Sequence, residues 1–126
     1  ILVRLGLSPD AVQAVPAPEV RADRTYACAV ALKRWFDRHQ VSPTNCHVLS
    51  VGPHARRTRL LFEKALGPAL PVSITAIEAR DYDPRRWWQS SPGVRTTLDE
   101  VIAYGYARLL FRESPADVPE QNAEAR

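Results

Sequence analysis

The chain predicts an α/β fold, a three-layer Rossmann-like parallel sheet with helices on both faces. Three observations predict it. Short β-branched runs alternate with longer segments whose apolar residues recur at helical spacing. Gly and Pro mark the changes, at Gly52-Pro53, Gly67-Pro68 and Pro71. And Val48–Gly67 reads as a buried strand, a tight turn and a helix, half of a β-α-β unit.

In chain order, 1–6 reads as the last turn of a helix closed by Gly6. The first residue is Ile1, so the domain is expected to be truncated at its N-terminus. Residues 7–11 form a turn, and Val12-Gln-Ala-Val15 reads as a first strand ended by Pro16-Ala-Pro18, since prolines there force an extended exit. A loop leads to Asp23, placed to cap through its carboxylate a helix running from Arg24 to His39. That helix has Ala29, Leu32, Trp35 and Phe36 on its apolar face. Cys46–Val51 is the second strand. Pro53 suits the first helical position, and Thr58, Leu61, Phe62, Ala65 and Leu66 carry the helical repeat to Gly67.

Val72–Ile77 is the third strand, rich in β-branched residues. Residues 79–93 form a long irregular segment, a length more often functional or partly helical than idle. A last helix follows to about Phe111, with Val94, Leu98, Val101, Ile102, Gly105 and Leu109 on one face. The Rossmann-like domain thus covers residues 1–111, and the polar, proline-containing stretch 112–126 is read as a flexible tail.

Composition limits the function classes. The 126 residues suit one domain, and 45% hydrophobic with 25% charged residues is ordinary for a globular chain. No apolar run approaches the roughly 20 residues that span a bilayer, so membrane attachment is expected only through a segment outside this chain. The net charge of +3 comes mostly from arginine, without the dense basic stripe and motif of a nucleic-acid binder, so no nucleic-acid partner is expected. Cys28 and Cys46 lack metal-ligand spacing and are read as small buried side chains; a bridge between them stays open. No metal site is expected.

The loops after the expected strands leave one edge of a parallel sheet, where ligands of open α/β folds bind. A helix amino terminus there favours an anion. His54 is a candidate anion donor or proton-transfer group, against a structural role at a helix start. Arg57 is a candidate anion clamp. Arg56 lies about 100° round the helix from it, so one of the two is expected to face inward. Asp23, Arg24 and Thr25 open a second helix at the same edge, with Thr25 as a hydrogen-bonding hydroxyl. Asp81 and Asp83 are candidate bases or ligands, although Asp-Tyr-Asp-Pro is also a turn sequence. Trp87 and Trp88 are candidate walls of an aromatic or sugar pocket, or pins that hold a loop to the core.

Asp23-Arg-Thr-Tyr-Ala-Cys-Ala29, Leu49-Ser-Val-Gly-Pro-His-Ala-Arg-Arg57, Trp87-Trp-Gln-Ser-Ser-Pro92 and the helix around Glu100 resemble the YdcF/SanA/ElyC-like family of Rossmann-like domains. The likeness spans most of residues 1–111 and lacks that family's front Gly-rich turn. His54 and Arg57 match its His and Arg three residues apart. Thr25 matches the first residue of its Thr-x-Glu-Asn loop, while Ala27 and Cys28 replace the acid and the amide. The resemblance implies a bacterial protein of the cell envelope, membrane-anchored and periplasmic in its full-length form, and S-adenosylmethionine binding in one branch.

Two functions follow as expectations. One is a domain that binds an anionic small molecule, either a nucleotide-like cofactor such as S-adenosylmethionine or a phosphorylated envelope precursor, through His54, Arg57, Thr25, Arg24, Asp23, Asp81 and Trp88. The other is a non-catalytic envelope factor that acts through a protein partner on the Tyr82–Trp88 loop. Whether a reaction is catalysed is left open.

Overall fold

A computed structural model describes residues 1–120 of the chain. The protein is mixed α/β. Helix α1 spans Arg24–Arg38, strand β1 Cys46–Val51, helix α2 Ala55–Leu66, strand β2 Val72–Ile77 and helix α3 Ser91–Leu109. Short 3₁₀ turns precede α1, enter α2 and α3, and follow α3.

β1 and β2 pair in parallel, from Cys46 opposite Val72 to Val51 opposite Ile77. A parallel neighbour requires a crossover, and α2 supplies it. Side chains alternate across the pair. Cys46, Val48 and Ser50 are partly buried, whereas His47, Leu49 and Val51 are exposed together with their partners Ser73, Thr75 and Ile77. The imidazole of His47 bonds the hydroxyls of Ser73 and Thr75 on that exposed face.

The structure shows part of the expected parallel sheet and corrects its first strand. Among the described residues it has two strands, and helix packs on one of its faces. Residues 12–15 form no strand; the chain makes a 3₁₀ turn over Pro9–Ala11, Val12 is extended, and no regular structure follows before α1. The Val12 amide is taken by the Pro9 carbonyl, and Pro16 and Pro18 cannot donate to a ladder, so little of this segment can pair.

α2 packs on the sheet and against α1 and α3. The core lies among the three helices, around Tyr26, Ala29, Val30, Leu61, Ala65, Ala107 and Phe111. Tyr26 and Phe111 meet edge to face at 4.9 Å. Ala29, Ala65 and Ala107 let the helices approach closely, so large side chains are few in the centre.

The face that α3 buries differs from expectation. Gly93, Glu100 and Ala107 are buried, while Leu98, Val101, Ile102 and Leu109 are exposed. Apolar residues surround much of this helix, so periodicity alone does not choose a side. Contacts with α2 choose it. Arg57 of α2 bonds Glu100, and Lys64 of α2 donates to the carbonyls of Ala107 at 2.6 Å and Phe111 at 3.2 Å. Two helical turns separate the bonding residues on each helix, so α2 and α3 run side by side in the same direction.

Cys28 is exposed rather than buried; Cys46 is partly buried, which raises its thiol pKa, and both thiols are free. The tail is corrected in part. Residues 112–120 fold back onto α1: Val118 is buried, Tyr26 donates to the Glu113 carbonyl, and Arg34 donates to the carbonyls of Pro115, Val118 and Pro119. Ser114 and Asp117 form a capping box around the 3₁₀ turn between them. One guanidinium thus satisfies three backbone acceptors that composition alone does not reveal. The remainder of the expected tail, 121–126, lies outside the described residues.

Arg34→Ala is expected to release 112–120 while α1 stays folded. Limited proteolysis checks this: cleavage after Arg112 should accelerate several-fold, with little change in helical circular dichroism.

Candidate functional site

The site grows from the end of β1. After Val51 the chain turns through a 3₁₀ segment, Gly52–His54, with Gly52 at φ 32°, and passes directly into α2. The expected strand–turn–helix is present, and it sets His54, Arg57 and Thr58 on one flank of the α2 amino end. α3 brings Glu100 against them.

Glu100 is 8% exposed. Arg57 grips it sideways, Nε to Oε2 at 3.0 Å and Nη2 to Oε1 at 2.9 Å, and His54 Nδ1 lies 2.5 Å from Oε1. Burial raises the carboxyl pKa, but hydrogen bonds and charge from Arg57 and His54 outweigh it and hold Glu100 below the usual carboxylate range. Arg57 is correspondingly held more firmly protonated, first by its bond to Glu100. An ionised carboxylate only accepts, so Nδ1 of His54 carries the proton of their bond. That leaves Nε2 free, on an imidazole whose side chain is 47% exposed.

A hollow of about 660 Å³ opens here, lined by Arg21, Asp23, Arg24, Thr25, Leu49, Ser50, Val51, His54, Arg57 and Thr58. Its walls are the β1 end, the α2 start and the α1 start. Five of the sequence candidates, Asp23, Arg24, Thr25, His54 and Arg57, therefore meet in one place. Ser50 and Thr58 add hydroxyls 3.3 Å apart. Among the described residues Arg21 and Arg24 have no ion-pair or hydrogen-bond partner from their side chains, so their charges are available. Asp23 does not cap α1 as expected: it takes the left-handed conformation at φ 53° and its carboxylate makes no capping bond. Instead its charge lies close enough to favour the Arg57 cation. Three guanidiniums against the carboxylates of Asp23 and Glu100 leave the hollow net positive.

No protein-family model, curated protein or solved structure matches the chain.

Asp81 and Trp88 do not join this hollow. Asp81 is exposed, and Asp83 behaves as a turn residue, accepting from the Arg85 amide at 2.8 Å. Trp88 is 59% exposed; its neighbour Trp87 turns inward instead. A second hollow of about 460 Å³ lies beyond Glu100, lined by Gly52, Pro53, Arg56, Tyr82, Pro84, Trp87, Thr97, Glu100, Val101 and Tyr104. A Cβ on Gly93 would overlap the Trp87 carbonyl and the Ser90 hydroxyl, so the bare glycine lets the Trp87 turn seat on the start of α3. Among the described residues no group of three or more His, Cys, Asp or Glu side chains gathers to hold a metal.

Sequence reasoning did not single out Glu100 as a site residue. Its signal was register: Gly93, Thr97, Glu100, Tyr104 and Ala107 share one helical stripe, and a carboxylate there needs a partner.

Glu100→Gln is expected to destabilise the fold by about 1–3 kcal/mol at neutral pH, because the part-buried Arg57 loses its ionic partner. A folded pKa below the unfolded one means the stabilisation is complete above the usual Glu range and disappears as pH falls through the lowered value. Denaturant unfolding from neutral to acid pH should therefore show the gap between parent and variant closing.

Proposed function

We propose that the hollow between β1, α1 and α2 binds an anionic small molecule and that His54 Nε2 is its proton donor or acceptor. The observation that carries this reading is the Glu100–His54 bond. It fixes the imidazole through Nδ1 and leaves Nε2 without a partner among the described residues, on a side chain that lines the hollow together with Arg57. Oriented by a carboxylate in this way, an imidazole is suited to general acid–base work. Arg21, Arg24 and Arg57 with Thr25, Ser50 and Thr58 offer charge and hydroxyls to phosphate or carboxylate oxygens. The α2 amino end adds its dipole.

Part of the Arg57 charge is already engaged by Glu100, so Arg21 and Arg24 are the main electrostatic attraction and Arg57 the orienting group. We take the ligand class to be a nucleotide-like cofactor such as S-adenosylmethionine, which would offer the guanidiniums its carboxylate and not a net negative charge, or a phosphorylated envelope precursor. The residues shared with YdcF-like domains support that choice, a bacterial envelope setting, and a Rossmann-like three-layer sheet of which β1, α2 and β2 are a part. The open sheet face with Leu49, Val51 and Ile77 is in keeping with a further layer. No described helix is long and apolar enough to cross a membrane.

A second reading, an envelope factor acting through a protein partner on the 82–88 segment, is favoured by the exposure of Trp88. Loss of partner capture in Trp88→Ala with retention in His54→Ala would support it.

Calorimetric titration with inorganic phosphate and with S-adenosylmethionine tests the first reading. Arg24→Ala leaves the Glu100 network intact and should weaken phosphate binding about tenfold, the scale of one charge-assisted hydrogen bond. Raising the salt should weaken the parent more than the variant. Absence of binding by both compounds would sink the proposal.

A further inference from the structure

We propose that the second hollow, between the Gly52–His54 turn, the 82–88 segment and α3, is a separate binding subsite for an uncharged planar heteroaromatic ring. It stands on its own observations; only a link to the first hollow, through Glu100, rests on the anion reading.

The walls select the occupant. Tyr82, Trp87 and Tyr104 supply aromatic surface, and Pro53, Pro84 and Val101 supply aliphatic surface. About 460 Å³ lies within the range of small-molecule pockets, and such sites are mostly apolar with a few polar groups. Aromatic walls also suit a cation, but charge argues against one here. Glu100 is the one acid among the lining residues, and its carboxylate is already bound by Arg57 and His54. Arg56 lines the same space and has no partner among the described residues, so an incoming cation meets a guanidinium. A planar ring suits that group, because guanidinium stacks on aromatic faces.

A saturated sugar fits less well. Each of its hydroxyls needs a partner on entering an apolar space, and Arg56 and Thr97 are the main free polar side chains at hand. A heteroaromatic ring brings fewer polar atoms for the same area.

Adenosine and uridine, which carry planar heteroaromatic rings and no phosphate, are the probes, with ribose as the counter-probe. Ligand-observed NMR and calorimetry should detect at least one nucleoside on the parent and no ribose. Trp87→Ala and Tyr104→Ala should each weaken it tenfold or more, and Trp88→Ala, outside the hollow, should not. Val101→Trp fills the space from an exposed position without touching the core, and should abolish nucleoside binding while phosphate binding at the first hollow is unchanged. If neither nucleoside binds, or if binding survives Val101→Trp, the inference is overturned. Phosphate binding without nucleoside binding would sink this subsite alone. Nucleoside binding without phosphate or S-adenosylmethionine binding would keep the subsite and sink the anion reading.

Discussion

A carboxylate cannot stay ionised out of water unless cations and hydrogen-bond donors surround it. That requirement, applied to Glu100, organises the functional half of this protein. Arg57 and His54 meet it together, and in meeting it they clamp α3 to α2 and set the imidazole's orientation. A hydrophobic residue at position 100 would join the two helices as well, but would leave His54 free to rotate and Arg57 without direction. The ion pair therefore acts less as a source of stability than as a device that fixes where two side chains point.

The same clamp explains why two hollows flank one helix start. Consecutive residues on a helix are rotated by about 100°. Arg57 lines the hollow toward α1 and Arg56 the hollow toward α3. Glu100 stands between them, bonded to groups of the first hollow and forming part of the wall of the second. At the far end of the helix pair, Lys64 reaches the carbonyls that end α3 and passes 5.5 Å from the Phe111 ring centroid. Residues beyond Phe111 then complete the core by seating Val118 against α1. α2 is held at both ends, and the site is built at the end where the holding groups are charged.

Several features are legible in the amino-acid sequence. The β1 and β2 runs, their parallel pairing across α2 and the meeting of His54 and Arg57 with the start of α1 all follow from local signals: β-branched runs, a Gly-Pro stop and apolar spacing. Other expectations failed for identifiable reasons. Val12–Val15 carries strand-like residues but lies among prolines. Asp23 is a good cap by residue type, yet its backbone takes a left-handed conformation that turns the carboxylate elsewhere. The 112–120 segment is polar in composition but is anchored by Arg34, which lies 81 positions before Pro115, so no local window can see it.

By itself, the amino-acid sequence determined the three helices and the two paired strands, because hydrogen-bond pattern and side-chain period act over a few neighbouring residues. It also placed an imidazole and a guanidinium at a helix start. Only tertiary structure decided which side of α3 faces inward, because that helix is apolar on more than one side and the choice rests on distant partners. With α3 turned so that Glu100 meets Arg57, Trp87 rather than Trp88 comes to line a hollow, and Leu98, Ile102 and Leu109 stay on the surface. Long-range electrostatic pairing made that choice, and residue spacing contains no term for it.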